Sequence, residues 1–459
     1  MSLGETARRH GGSGALRVPQ AFKKIQNLLL GGSDDSGQTQ RAALFAFLIR
    51  VVSACIAYFS QVLLARWMGS FEYGIYVFVW VWVLILGGLA PLGFSTLCTR
   101  FVPEYRETGR IDLLRGLLLR ARVIAVLSST VLALLGLAGL ALFGAMLTEY
   151  YLLPAFLILF CLPMYTLVDV QDGIARGYAW MSVALVPPYI VRPLLLLAAM
   201  LGIYVAGFEM NAVSAAGAAV FTCWVSAIVQ TIVLERKIRK ETSPGPRIYK
   251  TGFWLRTSLP LLLYSSFALL LLNTDIIVLS RYEDPSQVAI YFAALKTISL
   301  VAFVHFAVGA AAANRFSVLN ARGERDELQS AVRDAVKWTF WPSLAGTLIL
   351  LTLGKPLLWL FGAEFTSGYP MMFVLAAGLM IRAAMGPVEL ILNMLGQQKF
   401  CALALFGAVV LNLGLNFALV PTYGLMGAAS ATAIAMAAAA FAMLFAVHKK
   451  LGLDCFIWQ

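Results

Sequence analysis

Charge is scarce in this chain of 459 residues: only 13% are Asp, Glu, Lys or Arg, against about 25% in an ordinary soluble domain. That scarcity excludes a soluble fold. Histidine is nearly absent, with three residues, His10, His305 and His448. The six cysteines, Cys55, Cys98, Cys161, Cys223, Cys401 and Cys455, fall in or beside apolar runs without the paired spacing of metal ligands. They read as reduced packing residues, and neither a zinc site nor a haem site can be assembled from this inventory. No cofactor is implied. The phosphate-cradling pattern G-x-x-x-x-G-K-[ST] is missing, since Gly354-Lys355 is followed by Pro356, which excludes ATP hydrolysis by a P-loop. No signal peptide is apparent. Long loops are lacking on one side of the chain, so a catalytic domain has nowhere to assemble there.

What is present in abundance is apolar sequence, at 60% of residues, gathered into runs of about 20, the length a helix needs to cross roughly 30 Å of hydrocarbon. A backbone in lipid must satisfy its own hydrogen bonds, so these runs predict helices. Spans are expected over 43–64, 74–97, 123–147, 152–170, 182–205 and 212–234, and then over 259–279, 288–312, 338–360, 371–394, 401–420 and 425–447. The fold class is therefore all-α: a polytopic membrane protein of about twelve helices. Pro187, Pro188 and Pro193 lie inside the fifth span and predict a kink, serving either packing or a hinge.

The net charge of +12 follows topology and implies no nucleic acid. Most of the 35 Lys and Arg fall in segments that twelve spans place on one side, chiefly 100–122, 236–256 and 315–337, and only Arg66 and Arg281 fall in the opposite loops. By the positive-inside rule both termini are cytoplasmic. Residues 1–40 read as a disordered tail, or, at Ala21–Leu30 with Lys23 and Lys24, as a short amphipathic helix on the anionic leaflet.

A shift of about 215 residues aligns Ala65-Arg66 and Ile75-Tyr76 with Ser280-Arg281 and Ile290-Tyr291, and Thr99-Arg100-Phe101 with Asn314-Arg315-Phe316. Gly109 falls near Gly323, Gly177 answers Gly396, and Ser214–Ala216 answers Gly427–Ala429. Six spans per repeat give two bundles of the same orientation, able to rock around a midplane site. The expected division is a tail over 1–40, a six-helix bundle over 41–234, a basic linker over 235–256 containing Pro244-Gly245-Pro246, a second bundle over 257–448, and a tail over 449–459.

Ionisable residues within spans are costly and face a polar path or a partner. Arg50, Arg192, Lys296 and Arg382 are the candidates for a cationic lumen, each with a snorkelling or locally paired side chain as the alternative. Arg382, Glu389 and Asn393, seven and four residues apart, share one helical face, suited to substrate, a coupling proton or a salt bridge. Lys296 and His305 are about 180° apart on one helix and cannot face one cavity. Lys296 is favoured, because Ala289, Ala293 and Ala307 keep its face small. Asp275, beside Asn273 and Thr274, can pair with a lumen cation or bind a coupling ion. Asp169, Asp172 and Arg176 can form a cytoplasmic gate or anchor a loop.

The segments Leu63-Leu64-Ala65-Arg66-Trp67-Met68-Gly69 and Glu72-Tyr73-Gly74-Ile75-Tyr76, then Asn273-Thr274-Asp275-Ile276-Ile277-Val278-Leu279, Leu360-Phe361-Gly362-Ala363-Glu364-Phe365 and Val420-Pro421-Thr422-Tyr423-Gly424-Leu425-Met426-Gly427-Ala428-Ala429 occur in an order that resembles a known family. It is the polysaccharide-export and O-antigen flippases of the multidrug/oligosaccharidyl-lipid/polysaccharide exporter superfamily. The resemblance implies a flippase that moves a polyprenyl-diphosphate-linked oligosaccharide across the inner membrane, with polysaccharide polymerase and export machinery as partners. A diphosphate is an anion that Arg and Lys can hold. A cation-coupled drug exporter of the same superfamily would favour an acidic, aromatic pocket. A membrane glycosyltransferase or polymerase would need the missing exoplasmic domain.

Overall fold

In the computed structural model, which describes residues 35–458, those residues are mostly helical and no strand occurs among them. Residues 49 onward form one compact unit; the geometry below concerns that unit. Among the described residues, nine helices are long and apolar enough to cross a membrane. Two of them are double. The first, α1 (Asp35–Leu89), breaks at Gly69 (φ 78°), and the last, here α16 (Gln398–Leu451), breaks at Gly424 (φ 52°). A further helix, α12 (Arg325–Thr352), carries Arg333, Asp334 and Lys337 in its first half and is apolar only in its second. With both halves of α1 and α16 and with α12 counted, twelve helical segments are candidates to cross a membrane among the described residues.

The intervening helices are α2 (Phe94–Glu107), α3 (Ile111–Phe143), α4 (Glu149–Ile158), α5 (Leu162–Gly177), α6 (Met181–Val186), α7 (Arg192–Val205), α8 (Ala212–Glu241), α9 (Thr251–Tyr282), α10 (Pro285–Ile298), α11 (Ala302–Arg322), α13 (Gly354–Trp359), α14 (Tyr369–Ala384) and α15 (Val388–Met394). Several predicted spans are interrupted. The second crossing breaks between Leu89 and Phe94, the eighth at a 3₁₀ turn over Ser299–Val301, and the tenth between Ala384 and Val388. The ninth ends at Thr352, and the remainder of its predicted run turns off as the short helix α13.

Packing is mainly within each half: α2, α3 and α8 lie on α5, and α9 and α14 lie on α16. Small residues make these approaches close, as lipid supplies no hydrophobic drive between helices. Ala212, Ala215, Ala216 and Ala219 of α8 are buried, as are Ala428, Ala429, Ala431 and Ala435 of α16. Large side chains of α3 such as Leu127, Leu135 and Leu142 point outward, where lipid rather than water receives them.

The repeat is visible in the turns. At Gly109 and Gly323 the backbone enters the left-handed region, and the amide of the next residue donates to a carbonyl five residues back, Arg110 to Tyr105 and Glu324 to Leu319. The same turn closes α5 and α15. There, however, the left-handed residues are Ala179 and Gly396, with Trp180 donating to Ala175 and Gln397 to Leu392. Gly396 therefore answers Ala179; Gly177 is instead a helical position pressed against Val102 and Cys98 of α2. Across the bundle, the Glu72 carboxylate accepts from the Ala212 amide at 2.8 Å, and Glu283 lies correspondingly against Gly424.

Residues 243–250 form an irregular strap rather than a loose connection. Arg115 donates through Nε to the Ser243 carbonyl at 2.8 Å and through Nη1 to the Pro246 carbonyl at 3.3 Å. The Ile248 amide donates to the Asp112 carbonyl at 3.1 Å, and the Ile248 carbonyl lies where a side chain on Gly116 would be. The strap is thus fastened to α3.

Candidate functional site

Two of the predicted lumen cations, Arg192 and Lys296, share one cavity of ≈ 330 Å³. Its walls come from α1 (Tyr58, Gln61, Tyr76, Trp80), from Arg192 at the start of α7, from Thr222 of α8, and from Phe292, Lys296, Ser299 and Phe303. Lys296 therefore reaches from the second half into a chamber built largely by the first.

Local structure explains both placements. Pro187–Val191 forms one turn of π-helix, in which the Arg192 amide donates to the Pro187 carbonyl five residues back. Prolines that cannot donate favour such a widened turn, and the turn rephases the helix just before Arg192. On the other side, Phe292, Lys296, Ser299 and Phe303 recur at helical spacing. The cavity face of Lys296 is thus aromatic: Ala289 and Ala293 are buried in the core, which corrects the expectation of a small-residue face.

No carboxylate lines this cavity, and neither Arg192 nor Lys296 forms a salt bridge among the described residues. Instead the Arg192 guanidinium stands 5.3 Å from the centre of the Trp80 ring and 5.2 Å from that of Tyr165, and the Lys296 ammonium stands 4.9 Å from the Phe292 ring centre. A desolvated cation–π contact returns about 2 kcal/mol, whereas an Arg or Lys at mid-membrane costs about 2.5–3.5 kcal/mol or more. The Asp275 carboxylate acts on Lys296 electrostatically from outside the cavity, but no acid is within salt-bridge distance of either cation among the described residues, and the positive lining suits an anionic group. Around them, Tyr73 donates to Gln61 Oε1 at 2.9 Å, and Tyr58 and Thr297 hydroxyls lie 3.0 Å apart.

Arg382, Glu389 and Asn393 line a different cavity, of ≈ 560 Å³, together with Tyr264 and His305. Lys296 and His305 accordingly face separate cavities. The expected continuous helical face is interrupted, because α14 ends at Ala384 and α15 begins at Val388. Across that break Arg382 Nη2 meets Glu389 Oε2 at 2.9 Å, and the Tyr264 hydroxyl donates to Glu389 Oε1. This arginine is ion-paired, and its charge does not add to that of Arg192 and Lys296.

Asp275 lines neither cavity. It is fully buried and accepts hydrogen bonds from the Tyr291 hydroxyl, from Thr432 Oγ1 at 3.1 Å and from the Ile276 amide at 3.1 Å. Thr432 in turn accepts from Asn412 at 3.3 Å, and Asn412 Oδ1 accepts from Asn416 at 3.1 Å. This chain of polar groups joins α9, α10 and both halves of α16. Asp172 and Arg176 pair within α5 at 2.6 Å, and the Asp169 carbonyl accepts from Ser95 of α2 at 2.9 Å. The side chain of Arg50 lies outside the described residues, as does the segment Ala21–Leu30.

Sequence reasoning missed Tyr58, Gln61, Trp80, Tyr165 and Thr222 around the cations, and Tyr291, Asn412 and Thr432 around Asp275. Aromatic and small polar residues are common in apolar helices, and only the Tyr76–Trp80 spacing of one turn hinted at a shared face.

Residues 40–317 match the model of a family described as polysaccharide biosynthesis protein, and residues 260–418 match that of MatE. The chain is similar to a probable low-salt glycan biosynthesis flippase, Agl15, of Haloferax volcanii, with 24% identity over 164 residues. That match spans 36% of this chain and about a third (35%) of the relative. Among solved structures, an inward-facing multidrug-resistance MATE transporter of the MOP superfamily aligns with TM-score 0.71 and 15% identity, covering 88% of this chain and 98% of the other. The lipid II flippase MurJ in an inward closed conformation gives TM-score 0.69 and 16% identity over 88% and 87%. A MOP-superfamily transporter from Pyrococcus furiosus, reported for the reverse polarity of its binding pocket, gives 0.67 and 16% over 93% and 97%. At these identities the structures share the fold.

Proposed function

The chain belongs to the polysaccharide biosynthesis protein family, and from that premise we propose that it is a flippase for a polyprenyl-diphosphate-linked oligosaccharide. The observation that carries this reading is the pair Arg192 and Lys296 in one aromatic-walled cavity that no carboxylate lines. The diphosphate supplies an anion to both cations through charge-assisted hydrogen bonds, and Tyr58 and Phe303 in the wall offer apolar surface to sugars. Rocking of the two six-helix bundles, residues 41–234 and 257–448, exposes the cavity to each leaflet in turn. Both termini lie in the cytoplasm, on the side of the basic loops, and the protein sits in an inner membrane; the excess of Lys and Arg in those loops supports this orientation. Asp275, buried among Tyr291, Thr432 and Asn412, is the group through which a coupling cation acts. Polysaccharide polymerase and export machinery receive the product.

Translocation of a fluorescent polyprenyl-diphosphate oligosaccharide in proteoliposomes tests the reading. Arg192→Gln and Lys296→Gln each lower the rate by roughly tenfold or more, as expected for a lost charge-assisted contact, and the double variant abolishes it. Full transport by the folded double variant overturns the reading. The MatE match over 260–418 favours one rival, a drug exporter. Transport of organic cations without transport of the lipid-linked glycan would establish that rival.

A further inference from the structure

A third pocket, of ≈ 490 Å³, opens at the basic end of the first half, far in sequence from Lys296 and sharing no lining residue with its cavity. Four arginines line it, Arg115 and Arg122 from α3, Arg239 from α8 and Arg247 from the strap, against a single acid, Glu235. Both Glu235 oxygens are already engaged, Oε2 by Arg122 at 3.0 Å and Oε1 by Arg239 at 3.2 Å. Arg115 spends its donors on the strap. Arg122 retains two donors, Nε and Nη2, that are buried without a hydrogen-bond partner, and a buried donor left unmade is expensive. Thr242, Pro244 and Gly245 wall one side, while Leu118 and Leu119 form an apolar flank.

We infer that this pocket binds a phosphate group outside the transport path, and that the carrier is an anionic phospholipid whose headgroup enters among Arg122, Arg239 and Arg247 while its chains lie along Leu118 and Leu119. The charge balance of the lining selects an anion, and Arg presents the fork that phosphate oxygens fit. The position, where helices meet the basic loops, is where basic pockets hold lipid headgroups. Occupancy would neutralise the arginines around the strap and hold it against α3.

The test uses the full-length protein and native mass spectrometry, with phosphatidylglycerol or phosphatidylcholine added to the protein in neutral detergent. Phosphatidylglycerol is expected to be retained preferentially, retention to fall roughly tenfold in R239Q/R247Q, and retention to persist in R192Q/K296Q. Arg239 and Arg247 lie at the exposed rim, so circular dichroism of that variant is expected to match the parent. Retention that resists competition by inorganic pyrophosphate supports the lipid as carrier, and displacement by pyrophosphate supports a pocket that reads phosphate on any carrier. Equal retention of the two lipids overturns the inference. So does undiminished phosphatidylglycerol binding by R239Q/R247Q, or its loss from R192Q/K296Q alone, which would place the anion in the central cavity.

Discussion

The prolines at 187, 188 and 193 decide where Arg192 presents its guanidinium. Without them a regular helix would carry Arg192 at a phase different by up to about 100° per residue, away from Trp80 and Tyr165. Asp275 shows the opposite use of a charged residue: three donors hold it in place, and none of them is a cation. Two predictions belong at this scale. Tyr291→Phe removes one donor from a buried carboxylate and should destabilise the protein by about 1–3 kcal/mol, read as a lowered denaturant midpoint in detergent. Asp275→Asn preserves the shape and most of the hydrogen bonds; it should leave that midpoint nearly unchanged while abolishing the response of glycan transport to an imposed cation gradient in proteoliposomes. An unaltered gradient response would remove Asp275 from coupling.

At the scale of elements, α1 and α10 meet where Gly74 presents no side chain to the Pro285 backbone. A Cβ on Gly74 would lie 1.8 Å from the Pro285 carbonyl oxygen, and backbone cannot yield as a flexible side chain can. Gly74→Ala should therefore destabilise by about 1–3 kcal/mol or more through overpacking, seen as loss of monodisperse protein on size exclusion after mild heating. Gly109, unobstructed in the structure, provides the contrast: replacing it by Ala costs only the left-handed backbone conformation, about 1 kcal/mol. The linker also changes meaning at this scale. Its Pro-Gly-Pro sequence suggests a tether, yet Arg115, Asp112 and Gly116 fasten it to α3, and the attachment continues into α9, where Phe253 packs on Phe101 and Trp254 donates to the Tyr105 hydroxyl at 3.1 Å.

For the whole molecule, the end opposite the basic loops is closed by contacts between the halves. Arg66 of α1 donates to the Leu360 and Trp359 carbonyls at 2.7 and 2.8 Å and lies over the Trp359 ring, and Tyr58 packs edge-on against Phe361. Opening at that end must break these contacts. Because Arg66 is exposed, its latch is worth about 1 kcal/mol rather than the full strength of two charged hydrogen bonds. Arg66→Ala should shift the equilibrium roughly fivefold toward opening at that end, measured as faster labelling of a cysteine placed at Ser60, a buried position in the cavity wall. Labelling that stays at the parent rate would mean the latch does not hold the closed state.

Apolar runs of helical length determined from the sequence alone that the chain is a helical membrane protein, since lipid leaves the backbone no other way to satisfy its polar groups. The recurrence of Gly109 as Gly323 carried the repeat, which the matching left-handed turns show. The tertiary structure decided which buried charges share a space. Hydropathy is a property of each segment, whereas the meeting of Arg192 with Lys296, and the pairing of Arg382 with Glu389, depend on helix breaks and rotational phase set by neighbours far away in the chain. A π turn before Arg192 and a break after Ala384 leave almost no mark on composition, yet they separate a cavity whose cations rest on aromatic rings without a salt bridge among the described residues from one whose cation is ion-paired.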